Sequence, residues 1–220
     1  MKCKQVEEYY NCLNKKKSSL IFKRVFDLTF GVIILVILAI PMCLIAALIK
    51  LDSEGPVFYR QERVTSYGKR FKIHKFRTMV SDADQLGTTV TVDGDKRITR
   101  VGSKLRKLRF DEFPQVVDVL SGNMSFVGTR PEAVKYVDRY SPEYFATLLL
   151  PAGITSEASI RYKDEAKLLD SSTDVDKVYM EEVLPNKMKY NLDSIKNFSF
   201  TNDLITMMRT VLAVLGKEYK

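Results

Sequence analysis

The sequence predicts an α+β, mostly helical chain. One membrane-embedded helix lies near the N-terminus, followed by a compact domain with short strands and amphipathic helices that can lie at an interface. Three observations carry this reading. Leu28–Ile49 runs 22 residues without a formal charge. The residues after it switch between short alternating runs and longer helix-period runs. The chain also carries 35 Lys and Arg against 27 Asp and Glu, a net +8, which suits an anionic partner or surface. Its 220 residues allow one ordinary domain and an appendage. We divide them at 1–22 (polar extension), 23–52 (membrane helix) and 53–220 (compact domain).

As a straight helix, Leu28–Ile49 is about 33 Å long, enough to cross a hydrocarbon core of about 30 Å. Helices of soluble domains keep a polar stripe, and this one has none. A cleaved signal peptide fits poorly, because the run is long and follows more than twenty polar and charged residues. Lys15, Lys16, Lys17, Lys23 and Arg24 precede it, and Lys50, Arg60 and Arg63 follow, so the flanks set no clear orientation. Pro41 removes a backbone donor and favours a bend. Two geometries stay open: a straight or kinked span, or a re-entrant hairpin that returns to the leaflet it entered. The basic flanks lean towards re-entry.

Beyond the apolar run, Gly55-Pro56 predicts a turn and Val57–Tyr59 a short strand. Phe71–Arg77 alternates apolar and polar residues and predicts a second. Residues 81–96, rich in Asp, Gly and Thr, read as a loop. Lys104–Arg109 forms a short basic helix, and a second runs from near Asp111 to Leu120. Ser141-Pro142 starts another helix, which Pro151-Ala152-Gly153 ends. A charged helix covers Asp174–Leu184 and stops at Pro185. Finally, Asp203–Leu215 places Leu204, Met208, Val211, Leu212 and Leu215 along one face. That stripe serves core packing or an interfacial membrane contact, and core packing is the reading we adopt.

Cys3, Cys12 and Cys43 have neither paired nor metal-ligand spacing, and His74 is the single histidine, which argues against a Cys/His zinc site. Chemistry should rest on carboxylates, basic groups and a hard cation. The sharpest local feature is Arg106–Gln115, with adjacent acids Asp111 and Glu112 beside Arg106, Lys107 and Arg109. Acids at a helix start have an ordinary explanation, since negative charge complements the backbone dipole there. The functional reading is that the cations and the helix terminus keep Asp111 ionised as a nucleophile while Glu112 manages a proton. Lys75-Phe76-Arg77 puts two cations on one face of an extended segment, and Arg130 sits in a Gly- and Pro-shaped turn suited to phosphate. Each alone is more often a solvated cation; together with the acidic pair and the membrane helix they point to phosphate handling.

These blocks resemble the bacterial sugar transferase family, the small monotopic polyprenyl-phosphate phosphoglycosyl transferases. The resemblance runs through Lys23–Asp27, Gly55–Arg63, Lys75–Met79, Arg97–Gly102, Leu105–Lys107, Asp111–Gln115, Met124–Gly128, Arg130–Glu132 and Pro151–Thr155. It implies transfer of a phosphosugar from a UDP-sugar to polyprenyl (undecaprenyl) phosphate, releasing UMP, at the cytoplasmic face of a bacterial inner membrane. Carried over by position, Asp111 is the nucleophile and a ligand of Mg²⁺, and Glu112 completes the dyad. Arg106 and Arg130 lie near the phosphates, and Lys75, Arg77 and Glu132 belong to the same substrate pocket. The resemblance also implies a re-entrant membrane helix and a cytosolic catalytic domain. Membrane lipids are then partners and nucleic acid is not; self-association and contact with later glycan-pathway enzymes are left open. Three positions depart from the pattern: Ile40 rather than Ser before Pro41, Thr129 rather than Pro before Arg130, and no Gly-Trp after Thr155. The alternative from another class is a membrane-tethered basic module for nucleic acid or anionic lipid. It explains the charge and the membrane helix but not the ordered acidic and arginine motifs.

Overall fold

The computed structural model describes residues 4–83, 95–163 and 174–215. Helix α1 (Lys4–Asn14) leads into α2 (Lys17–Asp52), which keeps helical hydrogen bonding past Pro41. The polar extension is tied to the domain through one face of α1. Val6, Tyr9 and Leu13 pack on Ala146, Leu149, Leu192 and Ile195, and the Tyr9 hydroxyl donates to Glu143 at 2.6 Å.

Both arms of α2 grip the domain. On the first arm Lys23 donates to the Val127 carbonyl (2.7 Å) and pairs with Asp203 (2.6 Å). Arg24 donates to the carbonyls of Val119 and Leu120, and Asp27 accepts the Phe126 amide. On the second arm Ile45 and Ile49 pack with Phe76 and Leu105, and Asp52 accepts the Val101 amide at 2.9 Å. Lys23 and Arg24, read from sequence as membrane-flanking charge, are therefore largely spent on fixing the helix to the domain. The opposite face, with Val32, Val36, Ile37, Ile40 and Leu44, is apolar and exposed along its length.

Strands β1 (Phe58–Val64) and β2 (Arg70–Phe76) form an antiparallel hairpin, with Phe58 opposite Phe76 and Val64 opposite Arg70. β1 runs five residues past Tyr59, because the polar stretch Arg60–Arg63 alternates against β2 across a half-exposed ribbon. Of the stretch read as a loop, 84–94 lies outside the described residues. Helix α3 (Arg100–Lys107) follows, its N-terminus capped by the Thr99 side chain accepting from Gly102.

The helix expected over Asp111–Leu120 is a 3₁₀ turn (Phe110–Glu112) and a separate helix α4 (Gln115–Leu120), with Phe113-Pro114 between them. β3 (Met124–Val127) pairs in parallel with β4 (Ala152–Thr155), Met124 opposite Ala152. Between them lie α5 (Val134–Val137) and a 3₁₀ segment (Pro142–Leu149) that starts at the expected Ser-Pro.

Helix α6 (Glu157–Arg161) precedes a longer helical run: α7 (Val175–Val178), a π-helical turn (Tyr179–Val183) and α8 (Leu184–Lys196). Pro185 does not stop this run. The wide turn, closed by the Leu184 amide reaching the Tyr179 carbonyl, accommodates a residue with no amide donor.

The last helix, α9 (Phe200–Val214), corrects a further expectation. Its apolar stripe is not core: none of its residues is buried, and Met208 is 68 % and Val211 60 % exposed. α9 packs edgewise on α2 and β3 and turns these side chains outward.

Candidate active site

The site is built on the turn between α3 and α4. Arg109 takes a left-handed backbone conformation (φ 58°), which is costly for a residue with a Cβ and is held only by its surroundings. That reversal places Phe110 outward and Asp111 inward on consecutive residues: Phe110 is 36 % exposed and Asp111 9 %. The next acid, Glu112, reaches sideways. Lys75, near the end of β2, donates to Glu112 Oε1 at 3.0 Å, and Arg130 bonds both Glu112 oxygens, with Nη1 3.3 Å from Oε2. Glu112 thus locks together two cations from distant parts of the chain.

Arg130 arrives by way of a backbone crossing. Gly128 and Gly153 touch so closely that a Cβ on Gly153 would lie 2.2 Å from the Gly128 backbone nitrogen and oxygen. The Gly153 amide then donates to the Thr129 carbonyl at 2.8 Å, fixing the turn ahead of Arg130. Arg106, half-buried on α3, adds a charge that acts on Asp111 without an ion pair among the described residues.

The electrostatics split the dyad. Burial opposes ionisation of Glu112, but Arg130 and Lys75 outweigh it and hold the carboxyl well below the usual range. Asp111 moves the other way: burial pushes its carboxyl up, Lys75 works against this, and neighbouring Glu112 adds to it. Burial and Glu112 thus act against ionisation of Asp111, while Lys75, Arg106 and Arg130 act for it. Burial also lowers Lys75, with Glu112 opposing.

The other residues carried over from the family pattern lie elsewhere. Arg77 is buried, and its guanidinium donates to the Ser53 and Glu54 carbonyls (2.7 and 2.6 Å) and to the Ser53 and Ser81 hydroxyls. It serves the C-terminal end of α2, whose last carbonyls lack helical partners. Glu132 accepts from the Tyr179 hydroxyl at 2.7 Å and lies 3.7 Å from Lys187. It stands behind the site, where its charge favours the protonated form of half-buried Arg63, itself close enough to Arg130 to be disfavoured by it.

Two features were not assigned from sequence. His74 is bound through its backbone amide and ring Nδ1 to the buried Asp118 carboxylate. Gln115 is 1 % exposed, and neither polar atom of its amide has a partner among the described residues. The signal was available in the spacing: Asp111, Gln115 and Asp118 recur at helical period, and a polar stripe on a short buried helix calls for a use. A cavity of about 430 Å³ lies apart from the dyad between α6, α8 and α9. Arg161, Tyr190, Asn202 and Arg209 help line it, and none of Lys75, Asp111, Glu112 or Arg130 does.

An apolar helix fastened at both arms to a domain with a cation-lined carboxylate pair defines a membrane-associated, phosphate-handling class of protein. Comparison with known proteins makes the class specific: the chain belongs to the bacterial sugar transferase family, whose pattern it matches over residues 18–217. It is 36 % identical over 196 residues to a UDP-N-acetylgalactosamine-undecaprenyl-phosphate N-acetylgalactosaminephosphotransferase of Aeromonas hydrophila, covering 88 % of this chain and 43 % of that protein. It is 37 % identical over 200 residues to a UDP-glucose:undecaprenyl-phosphate glucose-1-phosphate transferase of Caulobacter vibrioides, covering 89 % and 70 %. A sugar transferase of Bacillus subtilis described as uncharacterized, EpsL, is 32 % identical over 201 residues and is covered to 90 %, as is this chain. The chain thus spans less than half of the Aeromonas relative.

Proposed function

We propose that this chain moves a phosphosugar from a UDP-sugar to polyprenyl phosphate in two displacements. In the first, an Asp111 carboxylate oxygen bonds to the sugar-bearing phosphorus and the bond to the bridging oxygen breaks, so that UMP leaves. In the second, an acceptor phosphate oxygen bonds to the same phosphorus and Asp111 departs as carboxylate, giving polyprenyl diphosphate-sugar. The observation that carries this reading is the split dyad, with Asp111 buried beside a Glu112 that fixes Lys75 and Arg130.

Two anions must approach a carboxylate, and cations already in place offset the repulsion without reorganising during reaction. The donor's negative charge is one more group that moves Asp111, while Glu112 holds the cations in position rather than carrying a proton. Arg106 and Arg130 are the residues we assign to the donor phosphates, with Lys75 beside Arg130 on Glu112.

A divalent cation fits this donor set. Asp111 meets its neighbours through charge alone, without a hydrogen bond among the described residues. No cluster of three or more His, Cys, Asp or Glu able to hold a metal occurs among those residues. Mg²⁺ keeps several waters and binds one or two carboxylates together with substrate phosphates, so Asp111 and the donor diphosphate would hold it. When bound it would neutralise charge on the departing UMP.

The same reading puts the domain on the cytoplasmic face of the inner membrane, with α2 re-entrant. Residues around the apolar stretch, Lys23 and Asp27 before it, Ile49 at its end and Asp52 after it, bind one domain, which supports both ends lying on one side. The outward apolar face of α9 supports an interfacial contact.

The test is UMP release from a panel of UDP-sugars with polyprenyl phosphate and Mg²⁺, together with the intact mass of the enzyme after UDP-sugar alone. A phosphosugar adduct that Asp111→Asn lacks is expected, as is loss of all its turnover. An unimpaired Asp111→Asn enzyme would sink the nucleophile assignment, and salt-sensitive DNA binding without UMP release would favour the basic-module alternative.

A further inference from the structure

Two stripes run along the segment from Phe110 to Leu120. Asp111, Gln115 and Asp118 face inward and are buried. Phe110, Phe113 and Val117, at three- and four-residue spacing, form the other stripe. Phe110 and Val117, seven residues apart, are 36 % and 40 % exposed. The Phe110 and Phe113 rings lie 4.7 Å apart, and Phe113 packs against the cluster of Ile45 and Ile49 on α2 with Phe76 and Leu105. An apolar ridge thus leads from the turn that carries Asp111 to the membrane helix, whose neighbouring Leu44, Leu48 and Leu51 are exposed.

We propose that this ridge is the track on which the acceptor's isoprenoid chain lies as it leaves the bilayer. The inference rests on the phosphosugar-transfer reading above and adds where the lipid runs. Its occupant follows from the arrangement. Phe110 and Asp111 are consecutive residues on opposite sides of one turn, so a ligand following both has an anionic end at Lys75, Arg106 and Arg130 and a hydrocarbon end on the ring. A sugar nucleotide offers Phe110 only its uracil ring and has no hydrocarbon to follow the ridge on to Phe113 and α2, whereas a prenyl phosphate matches both stripes. The continuity of the ridge with α2 supplies the route: the chain passes from lipid to Phe113 and Phe110 without crossing open water. The left-handed Arg109 ends the run of α3 and starts the turn that carries both residues.

The experiment compares wild type, Phe110→Ser, Phe110→Leu and Val117→Ser in one detergent at fixed concentration. Exchange of labelled UMP into UDP-sugar reads the first displacement, which needs no acceptor. The specificity constant for prenyl phosphates from geranyl length to full polyprenyl length reads the second. Vesicle binding is measured alongside.

Phe110→Ser and Val117→Ser are expected to keep exchange within about twofold and to lose about tenfold in specificity constant for the long acceptor, roughly the loss of one well-buried apolar side chain. The loss should shrink towards geranyl length, and Phe110→Leu should recover most of it. Equal losses at every chain length, or lost exchange, would overturn the track. So would a fall in vesicle binding with unchanged chain-length dependence, which would give the ridge to the bilayer. Absence of exchange in the wild type would instead bring down the transfer reading on which the track depends.

Discussion

His74 and Asp118 are joined twice: the backbone amide and the ring Nδ1 of His74 each lie 2.8 Å from an Asp118 oxygen. The clasp fastens β2 to α4 one residue before Lys75. The opposite end of the Phe110–Leu120 segment is held by Lys75 itself, through Glu112. Two contacts between the same pair of chain segments therefore set the height of the lysine over the dyad.

Asp118→Ala removes the acceptor for both donors within the buried interface. Each unpaired donor costs about 1–3 kcal/mol, so a loss of about 2–6 kcal/mol is expected in urea unfolding. Asp118→Asn keeps one acceptor oxygen and should fall between that variant and the wild type. At temperatures where both remain folded, both should lower kcat more than they raise the donor KM, since Lys75 is displaced rather than removed.

Arg130→Lys keeps the charge but loses the fork that spans both Glu112 oxygens. Turnover is expected to fall at least about 30-fold, or ~2 kcal/mol of barrier, with unfolding changed by less than ~1 kcal/mol. Steady-state UMP release beside a urea melt checks both parts.

Gly153→Ala places a methyl group 2.2 Å from Gly128 backbone atoms on a strand that cannot retreat without unpairing β3 from β4. Destabilisation of at least about 3 kcal/mol is expected, or no folded protein. Gly68→Ala, where a Cβ would meet no atom within 4 Å, is the control. It should cost only the strain of a positive φ, about 1 kcal/mol.

Asp176 ties α7 to α5 through Lys135 (2.8 Å) and the Tyr136 hydroxyl (2.6 Å), and those bonds hold its carboxyl below the usual range. A lowered folded pKa means stability present above the unfolded value, near 3.9, and lost as the pH falls below it. Asp176→Asn should therefore be less stable than wild type at pH 7 by under about 1 kcal/mol, because the pair is partly solvated. The difference should close as the pH falls below about 4 in acid-titration melts.

Replacing Met208 and Val211 of α9 with Glu puts charge on an exposed apolar face. Loss of the protection that vesicles give α9 against amide hydrogen exchange is expected, with the far-UV circular dichroism unchanged; unchanged protection would assign that face to another contact.

The sequence by itself determined the apolar helix, the hairpin position, the acidic pair and the family, because each is written in local composition or in short ordered motifs. Twenty-two uncharged residues declare their solvent preference without reference to any partner. Tertiary structure decided what each charge is for. Lys75 and Arg77 look equivalent in an alternating strand, yet one reaches Glu112 and the other saturates carbonyls at the end of α2. Lys23 and Arg24 read as membrane flank but bind Val127, Asp203, Val119 and Leu120. The stripe on α9 has the period of a core helix, and only the packing of α2 and β3 leaves it facing outward. Period and composition report that a face is apolar or a residue charged. Which neighbour meets it depends on contacts about a hundred residues apart, and those exist only in the folded chain.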